Sequence, residues 1–265
     1  MVLDARYGTT PSSYLRSPMA TYLHDKIVPF KDSNLGKKQQ VANMFNRIAY
    51  RYDFLNRFLS AGIDVYWRKK AIKELSGLQP QVILDTATGT ADIPIMIAKY
   101  LRPKKIIGID ISEGMLELGR KKIAALNLSG SIELQVGDCE AINFPDNEFD
   151  AITVAFGVRN FENLENGLRE MIRVLKPGGK LVILEFSKPK QSGLKGFYEF
   201  YMRAIAPTIG KLISKNKEAY HYLNESVKIF PEGNDFITIL KNTGYSHTYL
   251  KPLSMGICTI YSGQK

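Results

Sequence analysis

Short apolar runs alternate with amphipathic stretches through the middle of the chain. Apolar residues at three- and four-residue spacing predict helices at 92–101, 112–126 and 164–175. The apolar runs between them are rich in Val, Ile and Leu and predict buried strands at 81–87, 105–110, 132–136, 149–154 and 180–186. This alternation predicts an α/β fold with a doubly wound, mostly parallel sheet, in which ligands bind beyond the carboxyl ends of the strands.

The two flanks of this core follow other patterns. Helical spacing predicts N-terminal helices, an apolar stripe at 194–205 and two later helices, and the last residues predict two closing strands at 245–250 and 256–262. We therefore expect seven strands, with a helical insertion before the last two. The chain is predicted to comprise a disordered leader (1–18) and one domain (19–265), which is made of N-terminal helices (37–77), a core (78–187), a helical cap (188–243) and a closing hairpin (244–265).

Composition narrows the class of protein. Of the 265 residues, 45% are hydrophobic and 23% charged, which is typical of globular proteins. Neither a membrane-spanning run nor a signal peptide is found, and two distant cysteines favour a reducing compartment, so we expect a cytoplasmic protein. The formal charge of +10 suits nucleic acid, an anionic membrane or an acidic substrate, unless the basic clusters are only solvated helix faces.

Acidic residues end three of the predicted strands. Asp85 precedes a turn that contains Gly89, Asp110 ends the second strand, and Asp138 follows the third. Glycine lets the backbone approach a ligand closely, and a strand-end carboxylate can accept both hydroxyls of a ribose. The pattern therefore predicts a nucleoside site. A purely structural role for Asp85, and a helix-capping role for Asp92, are the alternatives.

Charge distinguishes two nucleoside ligands. A dinucleotide places an anionic pyrophosphate over this turn, where flanking carboxylates would repel it. S-adenosylmethionine carries a sulfonium cation and an ammonium group instead, and Asp85 before the turn and Asp92 after it suit such a cationic ligand. We therefore interpret Asp85, Asp110 and Asp138 as partners of the ammonium, the ribose and the adenine of that ligand, in that order.

Three sequence blocks resemble a known family. They are 52–60 (YDFLNRFLS) followed by Trp67 and Arg68, 156–160 (FGVRN) preceded by Phe144-Pro145-Asp146, and 173–187 (RVLKPGGKLVILEFS). Together they are similar to the menaquinone and ubiquinone C-methyltransferases, over roughly Lys37 to the C-terminus. The resemblance implies a class I S-adenosylmethionine-dependent methyltransferase fold and C-methylation of a polyprenylated quinol.

The same resemblance implies site residues. The family's contacts with S-adenosylmethionine correspond to Thr90, Asp110 and the pair Asp138 and Cys139. Ala91 replaces a glycine in the turn. Ala155 stands where some members have serine, which favours demethylmenaquinol as the acceptor.

Catalytic residues are expected on the acceptor side. Methyl transfer to a ring carbon is aided when the neighbouring hydroxyl loses its proton, and a nearby cation would stabilise that anion. Arg159 is the candidate cation and Asn160 a donor beside it; a salt bridge that braces the following helix is the alternative role for Arg159. Tyr222 and Glu225, three residues apart, could line the same side. The stripe at 194–205 is expected to clamp a prenyl tail, lie on a bilayer or pack on the sheet.

Other functions compete with this one. They are methylation of the ubiquinone-pathway benzoquinol or another small molecule, methylation of nucleic acid, and a catalytically silent nucleotide-binding scaffold. We find neither metal-ligand spacing nor a nucleic-acid-binding module, so we expect no metal and no nucleic-acid partner. The expected partners are a polyprenylated quinol and, peripherally, the anionic inner face of a membrane.

Overall fold

The computed structural model describes residues 22–60, 62–189 and 217–265. Its helices are α1 (Lys37–Leu59), α2 (Ile63–Lys73), α3 (Asp92–Tyr100), α4 (Glu113–Ala125), α5 (Leu164–Val174), α6 (Lys217–Ile229) and α7 (Asn234–Asn242). Its strands are β1 (Val82–Thr86), β2 (Lys105–Asp110), β3 (Ile132–Val136), β4 (Phe149–Ala155), β5 (Leu175–Phe186), β6 (Ser246–Leu253) and β7 (Cys258–Gln264). Short 3-10 helices lie at Leu23–Lys26, Val158–Asn160 and Ser254–Gly256.

The strands form one seven-stranded sheet in the order β3-β2-β1-β4-β5-β7-β6. The first five strands are parallel, whereas β7 runs antiparallel to β5 and β6 antiparallel to β7. This arrangement confirms the predicted doubly wound, mostly parallel sheet with a closing hairpin. The strand order reverses between β1 and β4, so the crevice at their carboxyl ends is where this type of fold binds ligands.

Both faces of the sheet are covered, which explains why the central strands are apolar without alternation. One apolar cluster joins the sheet to α5 and α7, through residues such as Leu168 and Phe236. The second joins the other face to α2, α3 and α4, through residues such as Ile72, Ile97 and Leu116. The site therefore rests on strands that are held from both sides.

Helix α1 packs on α4 and covers the crevice. Asn46 of α1 accepts a hydrogen bond at Oδ1 from the backbone N–H of Gly114 at 2.9 Å, and its Oδ1 is 2.7 Å from the hydroxyl oxygen of Ser112. Ser112 in turn caps α4, because its side chain accepts from the backbone N–H of Met115. Contacts of this kind fix the N-terminal helix over the ends of β1 and β2.

Two sequence expectations lie outside the described residues, namely the leader at 1–18 and the apolar stripe at 194–205. Strand β5 begins at Leu175, earlier than predicted, because Leu175 already pairs with Phe149 before the Lys176–Gly179 segment. Among the described helices, none is long and apolar enough to cross a membrane.

Candidate functional site

The turn between β1 and α3 has an unusual backbone. Ala87, Gly89 and Ala91 all have left-handed conformations, with φ of +52°, +54° and +65°. Only glycine adopts this region without a steric penalty, so the two alanines must be held there by the surrounding structure. The result is a compact turn that directs the backbone N–H of Gly89 toward the end of β2.

Asp110 accepts a hydrogen bond from that N–H. Its Oδ2 accepts from the backbone of Gly89 at 2.8 Å, and its Oδ1 accepts from the backbone of Ser112 at 2.9 Å. Burial raises the pKa of the Asp110 carboxyl, while the backbone donors at Ser112 and Gly89 oppose that shift. Each carboxylate oxygen keeps acceptor capacity, because one oxygen can accept about two hydrogen bonds.

A cavity opens beside Asp110, at the carboxyl ends of the parallel strands. Helix α1 covers one side of it with Lys38, Val41, Phe45 and Tyr52. Among the sequence-predicted site residues, those in the cavity wall are Gly89, Asp110, Asp138, Cys139 and Asn160. The structure thus brings together five of the nine candidate residues around one space.

Asp138 and Cys139 form the far wall. Asp138 Oδ1 accepts from the backbone N–H of Glu140 at 2.9 Å, and its Oδ2 lies 2.5 Å from Lys38 Nζ. The pKa of Lys38 is raised: burial lowers it, but the bond to Asp138 and the nearby acids outweigh that effect. Burial raises the pKa of the Cys139 thiol well above its usual range, so this side chain contributes an apolar, uncharged surface.

Asp85 lies behind the turn and is not in the cavity wall. One carboxylate oxygen accepts from the Thr88 hydroxyl at 2.6 Å, and the other accepts from the Thr153 hydroxyl of β4. Burial raises its pKa to about 7, against the opposing effect of those hydroxyls. This geometry agrees with the structural alternative considered for Asp85, since the carboxyl ties the turn to β4.

Thr90 also lies behind the cavity. Its hydroxyl donates to Asp53 of α1 and accepts from Lys122 Nζ at 3.1 Å. The same Lys122 pairs with Asp92 at 2.6 Å. Asp92 is therefore part of an ion-pair cluster, and the N-cap of α3 is Ala91, so the expectation that Asp92 caps this helix is wrong. The sequence reasoning missed Asp53 and Lys122. They are 39 and 30 residues from Asp92 along the chain and lie on other helices, α1 and α4.

On the acceptor side, Arg159 forms a buried ion pair with Glu185 of β5. Arg159 Nη1 donates to Glu185 Oε1 at 2.6 Å and to the Phe156 carbonyl at 2.7 Å, and its guanidinium lies 5.5 Å above the Phe186 ring. Glu185 is fully buried, and burial raises its pKa while Arg159 opposes the shift. Among the described residues, Arg159 Nε and Glu185 Oε2 have no hydrogen-bond partner.

Arg159 therefore lies behind the cavity wall in a salt bridge, as in its alternative role, but the partner lies in β5 and not in the following helix. Sequence reasoning missed Glu185. One signal was present, since Glu185 is an acid within the otherwise apolar run of Leu181 to Phe186. A charged residue in a central strand is rarely buried without a partner.

Asn160 is the acceptor-side candidate that lies in the cavity wall. Its Oδ1 accepts from the Tyr222 hydroxyl of α6 at 3.1 Å. Tyr222 is almost fully buried, and burial raises its pKa well above the usual range, so the phenol stays neutral and donates. Glu225, expected beside it, instead pairs with Lys228 at 2.9 Å on a partly exposed surface.

Comparisons with known proteins agree with this geometry. Residues 33–265 match the model of the ubiE/COQ5 methyltransferase family. The demethylmenaquinone methyltransferase of Bacteroides fragilis is 48% identical over 245 residues, which cover 92% of this chain and 99% of that protein. The ubiquinone/menaquinone biosynthesis C-methyltransferase UbiE of Geobacter sulfurreducens is 45% identical over 230 residues, covering 86% of this chain and 90% of that protein.

Solved structures show the same fold. An S-adenosylmethionine-dependent methyltransferase from Aquifex aeolicus matches with a TM-score of 0.54 and 22% identity, covering 74% of this chain and 88% of that one. A second solved structure, from Methanococcus maripaludis, matches with a TM-score of 0.57 and 22% identity, covering 89% of this chain and 97% of that one. At such identity these structures establish the fold alone.

Proposed function

The chain belongs to the ubiE/COQ5 methyltransferase family, and from that membership we propose that it converts demethylmenaquinol to menaquinol. Its general activity is S-adenosylmethionine-dependent C-methylation in quinone biosynthesis. The observation that carries the choice of acceptor is the 48% identity to a demethylmenaquinone methyltransferase, over nearly the whole of both chains. The benzoquinol of the ubiquinone pathway is the second candidate, because the Geobacter sulfurreducens relative, which is named for both pathways, is 45% identical to this chain.

The donor site fits S-adenosylmethionine. Asp110 faces the cavity with spare acceptor capacity for ribose hydroxyls, and two backbone N–H groups already fix its carboxylate. Asp138 lines the cavity, and we propose that it accepts from the adenine amino group, with buried Cys139 as an apolar contact beside it. When bound, S-adenosylmethionine supplies a methyl group carried by a sulfonium. The acceptor carbon would attack the methyl carbon in line with the departing sulfur.

The proposed roles of Asp85 and Thr90 are less direct. Both side chains shape the turn from behind, Asp85 toward β4 and Thr90 toward α1. We propose that they place the backbone of Gly89 against the donor, and that any contact of Asp85 with the donor's ammonium requires a change in its hydrogen bonds to Thr88 and Thr153.

On the acceptor side, this chain must favour loss of the ring hydroxyl proton and stabilise the anion. Asn160 lies in the cavity wall and can donate through its amide, and Tyr222 orients it from behind. Arg159 supplies positive charge from just behind this wall. The ring carbon then takes the methyl as the methyl–sulfur bond breaks, and the ring hydrogen leaves as a proton. We propose that this step needs no metal.

We further propose a cytoplasmic enzyme that meets its substrate at the membrane surface. A polyprenyl tail keeps a quinol in the bilayer, and the formal charge of +10 favours an anionic surface. This part of the proposal concerns where the reaction occurs, and it is independent of the identity of the ring.

Transfer of a labelled methyl group tests the proposal. Purified protein is incubated with labelled S-adenosylmethionine and either demethylmenaquinol or the benzoquinol analogue with the same tail. We expect a product from demethylmenaquinol at a kcat/KM at least about tenfold above that of the benzoquinol, a difference of about 1.4 kcal/mol in transition-state binding. Preference for the benzoquinol would transfer the assignment to the ubiquinone pathway. If the protein methylates neither of the two quinols, the proposed function is refuted.

A further inference from the structure

Helix α2 exposes a stripe that changes character along its length. Ile63 and Tyr66 begin the stripe and are 44% and 48% exposed. Lys69, Lys70 and Lys73 continue it, the first and last exposed and Lys70 half-buried. At 3.6 residues per turn these five side chains lie within about a third of the helix circumference. The stripe is thus apolar at one end and basic at the other.

The apolar end lies at the edge of the sheet that carries the site. Trp67, on the buried face of α2, packs against Phe156 and Phe186, with ring centroids 6.4 Å and 6.1 Å away. Both phenylalanines lie at the carboxyl ends of their strands. At the other end of the helix, the Glu74 carbonyl accepts from Lys180 Nζ at 2.8 Å. Helix α2 therefore runs from the ligand-binding edge toward the opposite edge.

The tip of the β6–β7 hairpin adds to the apolar end. Trp67 Nε1 donates to Ser254 Oγ at 2.8 Å, which fixes the tip beside α2. The next residue, Met255, is 65% exposed. Three large apolar side chains, Ile63, Tyr66 and Met255, are therefore exposed on elements tied to Trp67, which packs against Phe156 of the cavity wall. We name the stripe on α2 together with Met255 the α2 surface.

The acids near the α2 surface are shielded. The Asp64 side chain is 5% exposed and pairs with Arg68 and Arg57 at 3.4 Å each. The Glu74 side chain is 16% exposed, lies 3.0 Å from Lys251 Nζ and accepts from the Tyr249 hydroxyl. Among the described residues, the charge that α2 itself presents to solvent is consequently positive.

We infer that the α2 surface rests on an anionic bilayer, with Ile63, Tyr66 and Met255 in the lipid interface and the lysines against the headgroups. The inference rests on the proposed function, because a bilayer holds the proposed polyprenylated acceptor. Exposed apolar side chains next to lysines bind anionic membranes in two ways at once, by burial of apolar area and by attraction of the lysines to anionic headgroups. A nucleic-acid backbone would leave the apolar residues in water. A second copy of this chain would set the lysines against one another.

This orientation has a functional consequence. The apolar residues lie at the carboxyl ends of the strands, so docking them turns the end of the sheet that carries the cavity toward the lipid. A quinol ring can then enter the site while its tail remains in the bilayer. The long transfer of an apolar tail through water is avoided.

Vesicle co-sedimentation tests the charged part. The full chain is mixed with vesicles of phosphatidylcholine alone, or of phosphatidylcholine with phosphatidylglycerol. We expect binding to the mixed vesicles only. The triple variant Lys69→Gln, Lys70→Gln, Lys73→Gln should bind about a hundredfold more weakly, since each lysine near the surface contributes about a fivefold factor. The matched control Lys104→Gln, Lys121→Gln, Lys241→Gln removes the same charge from exposed positions elsewhere and should change binding less than about threefold.

A second variant tests the apolar part. Tyr66→Ser with Met255→Ser should weaken binding about tenfold, and this loss should persist when salt is raised, because apolar burial is not screened. The proposal would be overturned if the triple lysine variant and its control lost vesicle binding equally. It would also be overturned if neither the triple variant nor the Tyr66 and Met255 variant lost vesicle binding. Self-association that the Tyr66 and Met255 changes abolish would overturn it as well.

Activity in the absence of vesicles separates this proposal from the assigned function. Every variant should methylate a water-soluble demethylmenaquinol analogue with a truncated tail at the wild-type rate. On vesicle-embedded acceptor, the α2 variants should raise KM with kcat unchanged. Vesicle binding without methylation of the soluble analogue would contradict the proposed function but not the surface; methylation with unaltered vesicle binding would contradict only the surface.

Discussion

The end of the sheet formed by the carboxyl ends of the parallel strands has two halves, in which the acidic side chains have different partners. In the donor half, at the ends of β1, β2 and β3, Asp110 accepts from backbone N–H groups and Asp85 from threonine hydroxyls. In the acceptor half, at the ends of β4 and β5, Glu185 is neutralised by Arg159. In the donor half, neutral donors thus hold Asp110 and Asp85, although Asp138 pairs with Lys38 at 2.5 Å. In the acceptor half, a cation holds the buried carboxylate.

The difference also concerns distance along the chain. Asp110 and Ser112 are two residues apart, and so are Asp138 and Glu140. Arg159 and Glu185 are 26 residues apart, and Tyr222 and Asn160 are 62 apart. Local backbone geometry prepares some contacts of the donor half, although Gly89 and Lys38 reach Asp110 and Asp138 from 21 and 100 residues away. Those of the acceptor half depend on elements that meet only in the folded protein.

Breaking the ion pair should have the largest effect. Glu185→Leu leaves the Arg159 charge buried without its counter-ion, so we expect the free energy of unfolding to fall by about 3–5 kcal/mol. Replacing both partners, Arg159→Met with Glu185→Leu, removes both charges and should restore most of that loss. Urea denaturation of the two variants and the wild type measures this.

The double variant also separates structure from catalysis. If the Arg159 cation stabilises the quinol oxyanion, the restored fold should transfer methyl two to three orders of magnitude more slowly, with single-turnover rates compared per folded molecule, as on loss of an oxyanion donor. Its affinity for S-adenosylmethionine should remain unchanged. A stable double variant with the wild-type rate would leave Arg159 only the role of a structural salt bridge.

Asp110→Ala should sharpen the contrast from the donor side. Loss of the ribose acceptor removes charge-assisted hydrogen bonds of about 1.5–3 kcal/mol each, so affinity for S-adenosylmethionine should fall by about a hundredfold. Stability should also fall by about 1–2 kcal/mol, because the N–H groups of Gly89 and Ser112 lose their acceptor. Calorimetric titration gives the affinity, and a dissociation constant equal to that of the wild type would remove Asp110 from the donor site.

Tyr222→Phe is the matched control in the acceptor half. It removes only the hydroxyl that donates to Asn160 and leaves the ring in its buried position. Donor affinity should be unchanged, while the methyl-transfer rate falls. Weaker donor binding in this variant would show that the two halves are not separable.

These partners explain which features were predictable from sequence. Asp110 and Asp138 were identified because a strand-end acid next to a turn is a local pattern, and both lie in the cavity wall. The seven-stranded sheet followed from apolar periodicity in the same way. Glu185 and Lys38 were missed, since their partners Arg159 and Asp138 are brought to them only by the fold. No local pattern specifies such pairs.

Asp85 provides a pH test of the donor half. Burial raises its pKa in the folded protein to about 7, above an unfolded value of about 3.9, so folding takes up a proton between these values. Its contribution to stability is full below about pH 4 and is lost as the pH rises toward about 7. Between about pH 5 and pH 8, the wild type should therefore lose about 3 kcal/mol more unfolding free energy than Asp85→Asn. Equal pH dependence in the two proteins, measured by urea denaturation, would contradict this account of the Asp85 environment.

The smallest effect is expected at Ala91, where this chain departs from the glycine of the family pattern. Its left-handed backbone costs an alanine about 1–2 kcal/mol, but glycine would lose about 0.4–1 kcal/mol through unfolded-state entropy and about 0.8 kcal/mol through the buried methyl group. These terms nearly cancel, so Ala91→Gly should change the unfolding free energy by less than about 1 kcal/mol and leave donor affinity unaltered. Gly89→Ala is the reverse exchange in the same turn: no atom lies within 4 Å of the added Cβ, so the left-handed strain stands alone and should cost about 1–2 kcal/mol. A large gain in stability from Ala91→Gly would mean that backbone strain outweighs packing in this turn.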